Sequence, residues 1–162
     1  MHISKIYLFI SLILNIHQKY LIMVLYAEDI MRKNIRIFDE NLSASEGARI
    51  MASNHTGFII VGKNNVPEGI VTEWDYVNKV VAKDLDPKDI KLKSIMETPL
   101  TYVSPDTPME KIAKIMSEHS IRRLPVIDVN KLAGVITSRD VIKFFNEYVT
   151  TMVDIASKFG IR

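Results

Sequence analysis

The sequence contains no cysteine. This absence excludes disulfide frameworks, thiolate nucleophiles and zinc sites built on sulfur. The histidines offer no obvious metal site either, because no two have the i, i+4 spacing that places both rings on one helical face: His2, His17, His55 and His119. We therefore expect neither a metal nor a required cofactor. The absence of disulfides fits a reducing, cytoplasmic location.

The motifs that accompany several common chemistries are also missing. There is no P-loop, no Gly-x-Gly-x-x-Gly and no nucleophile elbow. A formal net charge of +2 favours neither nucleic acid nor an anionic membrane as a partner. A chain of 162 residues has room for one compact domain or two small units, but not for a large catalytic domain as well. We expect a protein that is not an enzyme.

What the sequence does contain is an internal repeat with an offset of 65 residues. Three segments return at this spacing without a gap: Ile30-Met31 as Ile95-Met96, Ala48-Arg49-Ile50-Met51 as Ala113-Lys114-Ile115-Met116, and Gly69-Ile70-Val71-Thr72 as Gly134-Val135-Ile136-Thr137. Asp75 likewise returns as Asp140. The chain is therefore predicted to consist of two homologous units.

Both copies show the same pattern of elements. In the second, Thr107 is predicted to cap a helix that has Pro108 at its first position. In the first, Ser43 with Glu46 forms the equivalent cap, displaced by one residue from the repeat. Apolar runs around turns predict two strands in each copy, at 58–61 and 68–71, then at 124–127 and 132–136. A further helix is predicted after Thr72 and after Thr137.

These elements predict an α+β fold in which each repeat is a small β-sheet with helices on one face. Pairing of the repeats completes the core. The polar segment 84–89, which contains a proline, is predicted to link the repeats. We divide the chain into an apolar lead (1–22), a first repeat with its linker (23–88), a second repeat (89–146) and a C-terminal helical extension (147–162).

Residues 24–146 resemble the CBS domain family, named for cystathionine β-synthase, more strongly in the second copy than in the first. The resemblance is carried by Ser94-Ile95-Met96, Val103-Ser104-Pro105, the run SIRRLPVID at 120–128 and Gly134-Val135-Ile136-Thr137-Ser138-Arg139-Asp140. It implies two repeats related by a pseudo-twofold axis, with two clefts between them. It also implies that the clefts bind adenosyl compounds such as AMP, ADP, ATP or S-adenosylmethionine, and that the protein forms a homodimer.

A nucleoside ligand needs a group that binds the ribose hydroxyls and donors for its phosphate. The carboxylates of Asp140 and Asp75 are candidates for the ribose, because charge-assisted hydrogen bonds contribute roughly 1.5–3 kcal/mol each. Thr137 and Thr72, each at a strand-to-helix junction, are candidates for the phosphate. The alternative is that Thr-x-x-Asp is only a helix capping box, and both roles could coexist.

The resemblance places Arg122 where a guanidinium reaches phosphate, whereas the first copy has Gly57 there. We therefore predict that a cleft formed by Arg122, Thr137, Arg139 and Asp140 binds phosphate better than one formed by Thr72 and Asp75. The alternative is that Arg122 is a solvated charge. Candidate base-binding residues, which could equally be core, are Tyr102, Val103, Ser104 and Leu124 in the first of these clefts, and Ile37, Phe58 and Ile59 in the other.

The two ends of the chain carry separate expectations. Residues 1–22 are expected to be an over-called start that precedes Met23, with a membrane anchor as the alternative. Near the other end, apolar residues alternate spacings of four and three, which predicts a helix that packs along another helix in a homodimer: Val141, Phe145, Tyr148, Met152, Ile155 and Phe159. The predicted function is to sense an adenosyl ligand and signal to an unidentified effector. The alternatives are an interaction protein without a ligand or a nucleic-acid-binding protein.

Overall fold

The computed structural model describes residues 24–158. The expectations for residues 1–22, for Phe159 and for the side chain of Ile155 lie outside the described part. The elements follow in chain order: α1 (Ala27–Ile30), β1 (Ile37–Asp39), α2 (Ala44–Ser53), β2 (Phe58–Lys63), β3 (Val66–Thr72), α3 (Glu73–Lys79), a 3₁₀ turn (Val81–Lys83), α4 (Leu92–Ile95), α5 (Met109–Glu118), β4 (Arg123–Asp128), β5 (Lys131–Thr137) and α6 (Ser138–Lys158).

The repeat is conserved in the element boundaries. Helix α2 begins at Ala44 and α5 at Met109, 65 residues later, and the same offset relates α1 to α4, β2 to β4 and β3 to β5. The prediction of the second helix start was wrong by one residue, because Pro108 rather than Thr107 is the N-cap. The Thr107 hydroxyl lies 3.1 Å from that of Ser104 instead. Both caps therefore lie in register with the repeat.

Each unit is organised around an antiparallel hairpin. In the first, β1 runs parallel to β2 and β2 pairs with β3, which gives a three-stranded sheet in the order β1-β2-β3. In the second, β4 pairs with β5, and the position equivalent to β1 is reduced to a parallel bridge between Val103 and Val126. The predicted α+β fold of two repeats is thus confirmed, and the strands are slightly longer than the sequence indicated.

The cores of the two units exchange their leading helices. Ala27 and Ile30 of α1 are buried with the second unit's residues, which include Ile112 and Leu124. Conversely, Leu92 and Ile95 of α4 are buried in the first unit's core. Backbone bridges from Arg32 to Val135 and from Glu97 to Ile70 fix the two exchanged segments on the edges of the other unit's hairpin. Each core is therefore completed by a segment from the other copy.

Helix α6 continues well beyond its counterpart in the first unit, since α3 has 7 residues and α6 has 21. The predicted helix is confirmed as far as Lys158. Of the predicted stripe, Val141, Tyr148 and Met152 are partly buried and Phe145 is exposed. Other apolar side chains exposed on α6 are Ile142, Val149 and Val153. Within residues 24–158, no helix has the length and apolar character required to cross a bilayer.

Candidate ligand-binding cleft

A cleft of about 420 Å³ lies between the two units, and both units line it. The first unit contributes the end of β3 and the start of α3, whereas the second contributes the residues that lead into β4. The lining residues are Ile70, Thr72, Trp74, Asp75, Glu97, Pro99, Leu100, Thr101, His119, Ser120, Ile121, Arg122, Arg123 and Pro125. Its volume falls within the range of small-molecule sites, roughly 300–1,000 Å³.

The cleft groups the predicted residues differently from the sequence analysis. Arg122 lines this cleft with Thr72 and Asp75, whereas the sequence analysis grouped it with Thr137, Arg139 and Asp140. The physical reason is that β3 and β5 lie against each other, so the start of β4 faces the strand-to-helix junction of the other copy. The backbone carbonyl of Arg122 accepts from the Ser138 N–H of the second unit's junction at 3.0 Å.

None of the seven predicted base-binding residues lines this cleft. Ile59, Val103 and Leu124 are buried in the cores. The other predicted residues outside this cleft are Ile37, Phe58, Tyr102, Ser104, Thr137, Arg139 and Asp140. The apolar part of the cleft is formed instead by residues that the sequence analysis did not select, including Ile70, Leu100 and Pro125. The offset of 65 residues identifies equivalent positions in the two copies. It does not show which strand start lies at which strand-to-helix junction.

The Asp75 carboxylate is buried at the base of the cleft, with its residue 3% exposed. One oxygen, Oδ2, accepts from the Thr72 N–H and hydroxyl, each at 2.7 Å. The other, Oδ1, lies 2.9 Å from Lys79 Nζ. A carboxylate has about four lone-pair positions, so these three contacts leave capacity for a further hydrogen bond.

The Asp140 carboxylate has the same bonds to its own helix start and a different cation. Oδ2 accepts from the Thr137 N–H and hydroxyl, and Oδ1 accepts from Nε and Nη2 of Arg32 at 2.9 and 2.8 Å. Four donors from the protein therefore occupy about four lone-pair positions. Burial raises the pKa of Asp140, but the hydrogen bonds from Arg32 and Thr137 and the charge of Arg32 outweigh it, so the pKa lies below its usual value.

Lys79 connects the cleft to the exchanged segment after α4. Its ammonium group donates to the carbonyl of Ile95 at 2.7 Å and to the carboxylate of Glu97, in addition to its ion pair with Asp75. Burial lowers the pKa of Lys79, but its bonds to Glu97 and Asp75 raise it by more, so that the net pKa is raised. Lys79 is therefore a charged link between the base of the cleft and Glu97 on its rim.

The two arginines of the cleft differ in their partners. Arg123 donates to Glu73 at 2.7 Å and its guanidinium lies 5.6 Å from the centre of the Phe58 ring. Arg122 is exposed and, within the described residues, forms no ion pair. It is thus the arginine whose donors can reach a ligand without breaking an existing contact. No group of three histidine, aspartate or glutamate side chains within residues 24–158 could hold a metal ion.

Similarity to known proteins identifies the family of this chain. The family model described as the CBS domain matches residues 27–82 and again residues 92–147. An uncharacterised protein of Methanopyrus kandleri is 32% identical over 81% of this chain and 68% of its own length. Hypoxic response protein 1 of Mycobacterium tuberculosis is 28% identical over 75% and 86%. A homoserine O-acetyltransferase of Methanohalobium evestigatum is 33% identical, but the match spans only 24% of that enzyme.

Two solved structures of similar fold also contain paired repeats. One is a hexameric CBS-CP12 protein from bloom-forming cyanobacteria, with a TM-score of 0.69 and 33% identity over 75% of this chain and 72% of that one. The other is the CBS domain pair of protein MJ0100, in complex with 5′-methylthioadenosine and S-adenosyl-L-methionine. It has a TM-score of 0.70 and 25% identity over 76% of this chain and 98% of that one. Both support the pairing of two similar repeats.

Proposed function

The chain belongs to the CBS domain family, and we propose that it is a non-catalytic sensor of an adenosyl ligand, which binds in the cleft beside Asp75. The observation that carries this proposal is the meeting, in one cleft of about 420 Å³, of Asp75 from the first unit and Arg122 from the second. These are the two charged groups that a nucleoside phosphate requires, one acceptor for sugar hydroxyls and one donor for phosphate. The adenosyl complex of the MJ0100 pair supports this ligand class.

The ribose would bind to the unfilled lone-pair position of Asp75. Because that carboxylate already holds Thr72 and Lys79, a second ribose hydroxyl would have to displace Lys79 from Oδ1. Such a displacement would also release Glu97 and the backbone of Ile95, both of which Lys79 contacts. Ligand binding at Asp75 would thus be coupled to the position of α4, which completes the first core.

The base and phosphate would occupy opposite ends of the cleft. Ile70 and Leu100 provide an apolar wall for a base. Arg122 would bind the phosphate through its guanidinium, which can form two parallel bonds to one phosphate group. Thr72 is less suited to phosphate than its position indicated, since its N–H and hydroxyl both donate to Asp75.

We propose that the junction at Asp140 has a structural role and binds no ligand. Its carboxylate is filled by Thr137 and Arg32, and by the repeat offset the position of Arg122 is occupied there by Gly57. We therefore expect one ligand per chain, bound at Asp75, with Asp140 acting as a helix cap.

Isothermal titration calorimetry with AMP, ATP and S-adenosylmethionine tests the proposal. The wild-type chain is expected to bind at least one of these compounds with a stoichiometry near one. Asp75→Ala is expected to abolish measurable binding, because the ribose loses its acceptor. Asp140→Ala is the matched control. It also removes a helix-capping carboxylate, but it is expected to retain binding. Binding of none of the three compounds, or binding that depends on Asp140 rather than Asp75, would overturn the proposal.

The response would reach an effector through a homodimer in the cytoplasm. Its contact surface is proposed to be the exposed apolar face of α6, which includes Ile142, Phe145, Val149 and Val153. A ligand changes such an assembly only if it binds one arrangement more tightly than the other. Light scattering at micromolar concentration, with and without the bound compound, tests this. A monomer mass under both conditions would reject the dimer.

A further inference from the structure

Trp74 is the only tryptophan of the chain, and it lies at the cleft. It is located in the first turn of α3, directly before Asp75, and its residue is 65% exposed. An indole is one of the largest apolar surfaces a side chain can offer, and it is ordinarily covered by other groups. The fold does not require tryptophan here, because the repeat places Arg139 at the equivalent position of the second unit.

Trp74 differs from Val77, the other exposed apolar residue on α3, in its position relative to the cleft. Val77 is also exposed, at 47%, and lies one helical turn further along, but it does not line the cleft. Trp74, by contrast, lines the cleft together with Asp75 and Arg122. A nucleotide has three groups to bind: its sugar, its phosphate and its planar base. An aromatic ring beside the ribose acceptor and the phosphate donor can bind the third of these, the base.

We propose that Trp74 is the specificity-determining residue of this cleft, with its indole ring stacked against the aromatic base of the ligand. This inference rests on the proposed function and adds to it that the ligand is recognised by its base as well as by its sugar and phosphate. Stacking of a base on an aromatic side chain does not depend strongly on the identity of the base, since every base has a π-face. The cleft should therefore select nucleotides against sugar phosphates more strongly than it selects among bases.

The single tryptophan makes the test direct, because all indole emission comes from Trp74. Titration of the wild-type chain with AMP is expected to change the intensity of this emission, with the same dissociation constant that calorimetry gives. Ribose 5-phosphate, which has the sugar and phosphate without the base, is expected to bind more weakly and to leave the emission almost unchanged.

Two variants and one control separate stacking from a general effect on the cleft. Trp74→Ala is expected to weaken AMP binding by roughly 10-fold, the size of one base–aromatic stack, and to leave ribose 5-phosphate binding unchanged. Trp74→Phe retains an aromatic face and is expected to restore most of the AMP affinity. Val77→Ala, on the same exposed side of α3, should change neither affinity.

The outcomes distinguish this inference from the proposed function. If AMP binds the wild-type chain but Trp74→Ala binds it equally well, or loses AMP and ribose 5-phosphate in equal measure, the stacking role is refuted and the cleft assignment stands. If none of AMP, ATP and S-adenosylmethionine binds the wild-type chain, both the proposed function and the stacking role are refuted. A change of indole emission on dilution without ligand, combined with AMP affinity that is unaffected in Trp74→Ala, would show that a second copy covers Trp74 instead.

Discussion

The two strand-to-helix junctions of this molecule have the same backbone and different electrostatic partners. At both, a threonine binds a carboxylate three residues later and so starts a helix. At the first junction the carboxylate of Asp75 is paired with Lys79, from its own helix. At the second, Asp140 is paired with Arg32, which belongs to the exchanged segment after α1. Both copies thus have the same helix cap, but the cation that pairs with the capping carboxylate differs: it is Lys79 in the first and Arg32 in the second.

The opposite walls of the two junctions have diverged as well. Arg122 lines the cleft that contains Asp75, and the repeat offset makes Gly57 its equivalent in the first unit. A Cβ atom added to Gly57 would lie 1.5 Å from the carboxylate of Glu73, so this side chain occupies the space next to the glycine. The two units therefore have similar frames. Among the residues that the structure describes, only the frame at Asp75 combines a carboxylate that has an unfilled lone-pair position with an arginine that forms no ion pair.

The largest expected effect concerns the exchange of the leading helices. Ile30→Ala and Ile95→Ala should each lower the free energy of unfolding by about 2–5 kcal/mol, because both side chains are buried in the core of the other unit. Urea denaturation measures this. The exposed Ile142 on α6 offers a control, since Ile142→Ala should change stability by less than about 0.5 kcal/mol. If Ile30→Ala unfolded at the same urea concentration as the wild-type chain, the burial of α1 in the core of the second unit would be contradicted.

The asymmetry of the clefts predicts the next largest effect. Arg122→Ala should weaken AMP binding by roughly 10- to 100-fold, as expected for the loss of a charge-assisted contact to phosphate. Arg139→Ala removes an arginine from the second junction and should have little effect. Calorimetry of both variants gives the comparison. Equal losses of affinity would mean that the two junctions share the ligand, and the assignment to Asp75 would fail.

The pairing of Arg32 with Asp140 predicts a pH-dependent difference in stability. The pKa of Asp140 is lowered in the folded chain, so this carboxylate stabilises the fold above its unfolded pKa of about 3.9 and the contribution is lost as the pH falls through the folded pKa. Arg32→Met should cost about 1 kcal/mol at pH 7, a modest value because the Arg32 side chain is 54% exposed. Urea denaturation at pH 7 and pH 3 should show a smaller difference at the lower pH, which is below the unfolded pKa. A constant difference would contradict the ionic origin.

The smallest expected effect is at Gly57. Gly57→Ala should lower stability by less than about 1 kcal/mol, because the Glu73 carboxylate can move away and gives up only a half-exposed ion pair with Arg123. Gly134→Ala should cost more, since its Cβ would meet the backbone oxygen of Arg32 at 2.6 Å, which cannot move independently. Thermal unfolding of the two variants measures this order, and the reverse order would show that Gly57 is the tighter position.

Several features of the site could be read from local sequence, and others could not. Ser43 with Glu46 was predicted as a capping box and forms one, with Glu46 accepting from the Ser43 N–H at 2.8 Å. Thr72 and Asp75 were recognised because their spacing places them on one helix turn. Trp74 gave no comparable signal, because a tryptophan in an amphipathic helix is more often core. Lys79 and Arg32 were missed because an ion pair depends on where the side chains meet in space.

The number of repeats, their α+β character, their hairpins and the Thr-x-x-Asp caps follow from the amino-acid order, because they depend on periodicity and on residues a few positions apart. The three-dimensional packing was needed to show that α1 and α4 exchange cores, that Arg122 and Asp75 line one cleft, and that Arg32 pairs with Asp140. These contacts depend on which faces of the two similar units meet. Because both copies have the same local sequence pattern, that pattern does not specify which faces are in contact.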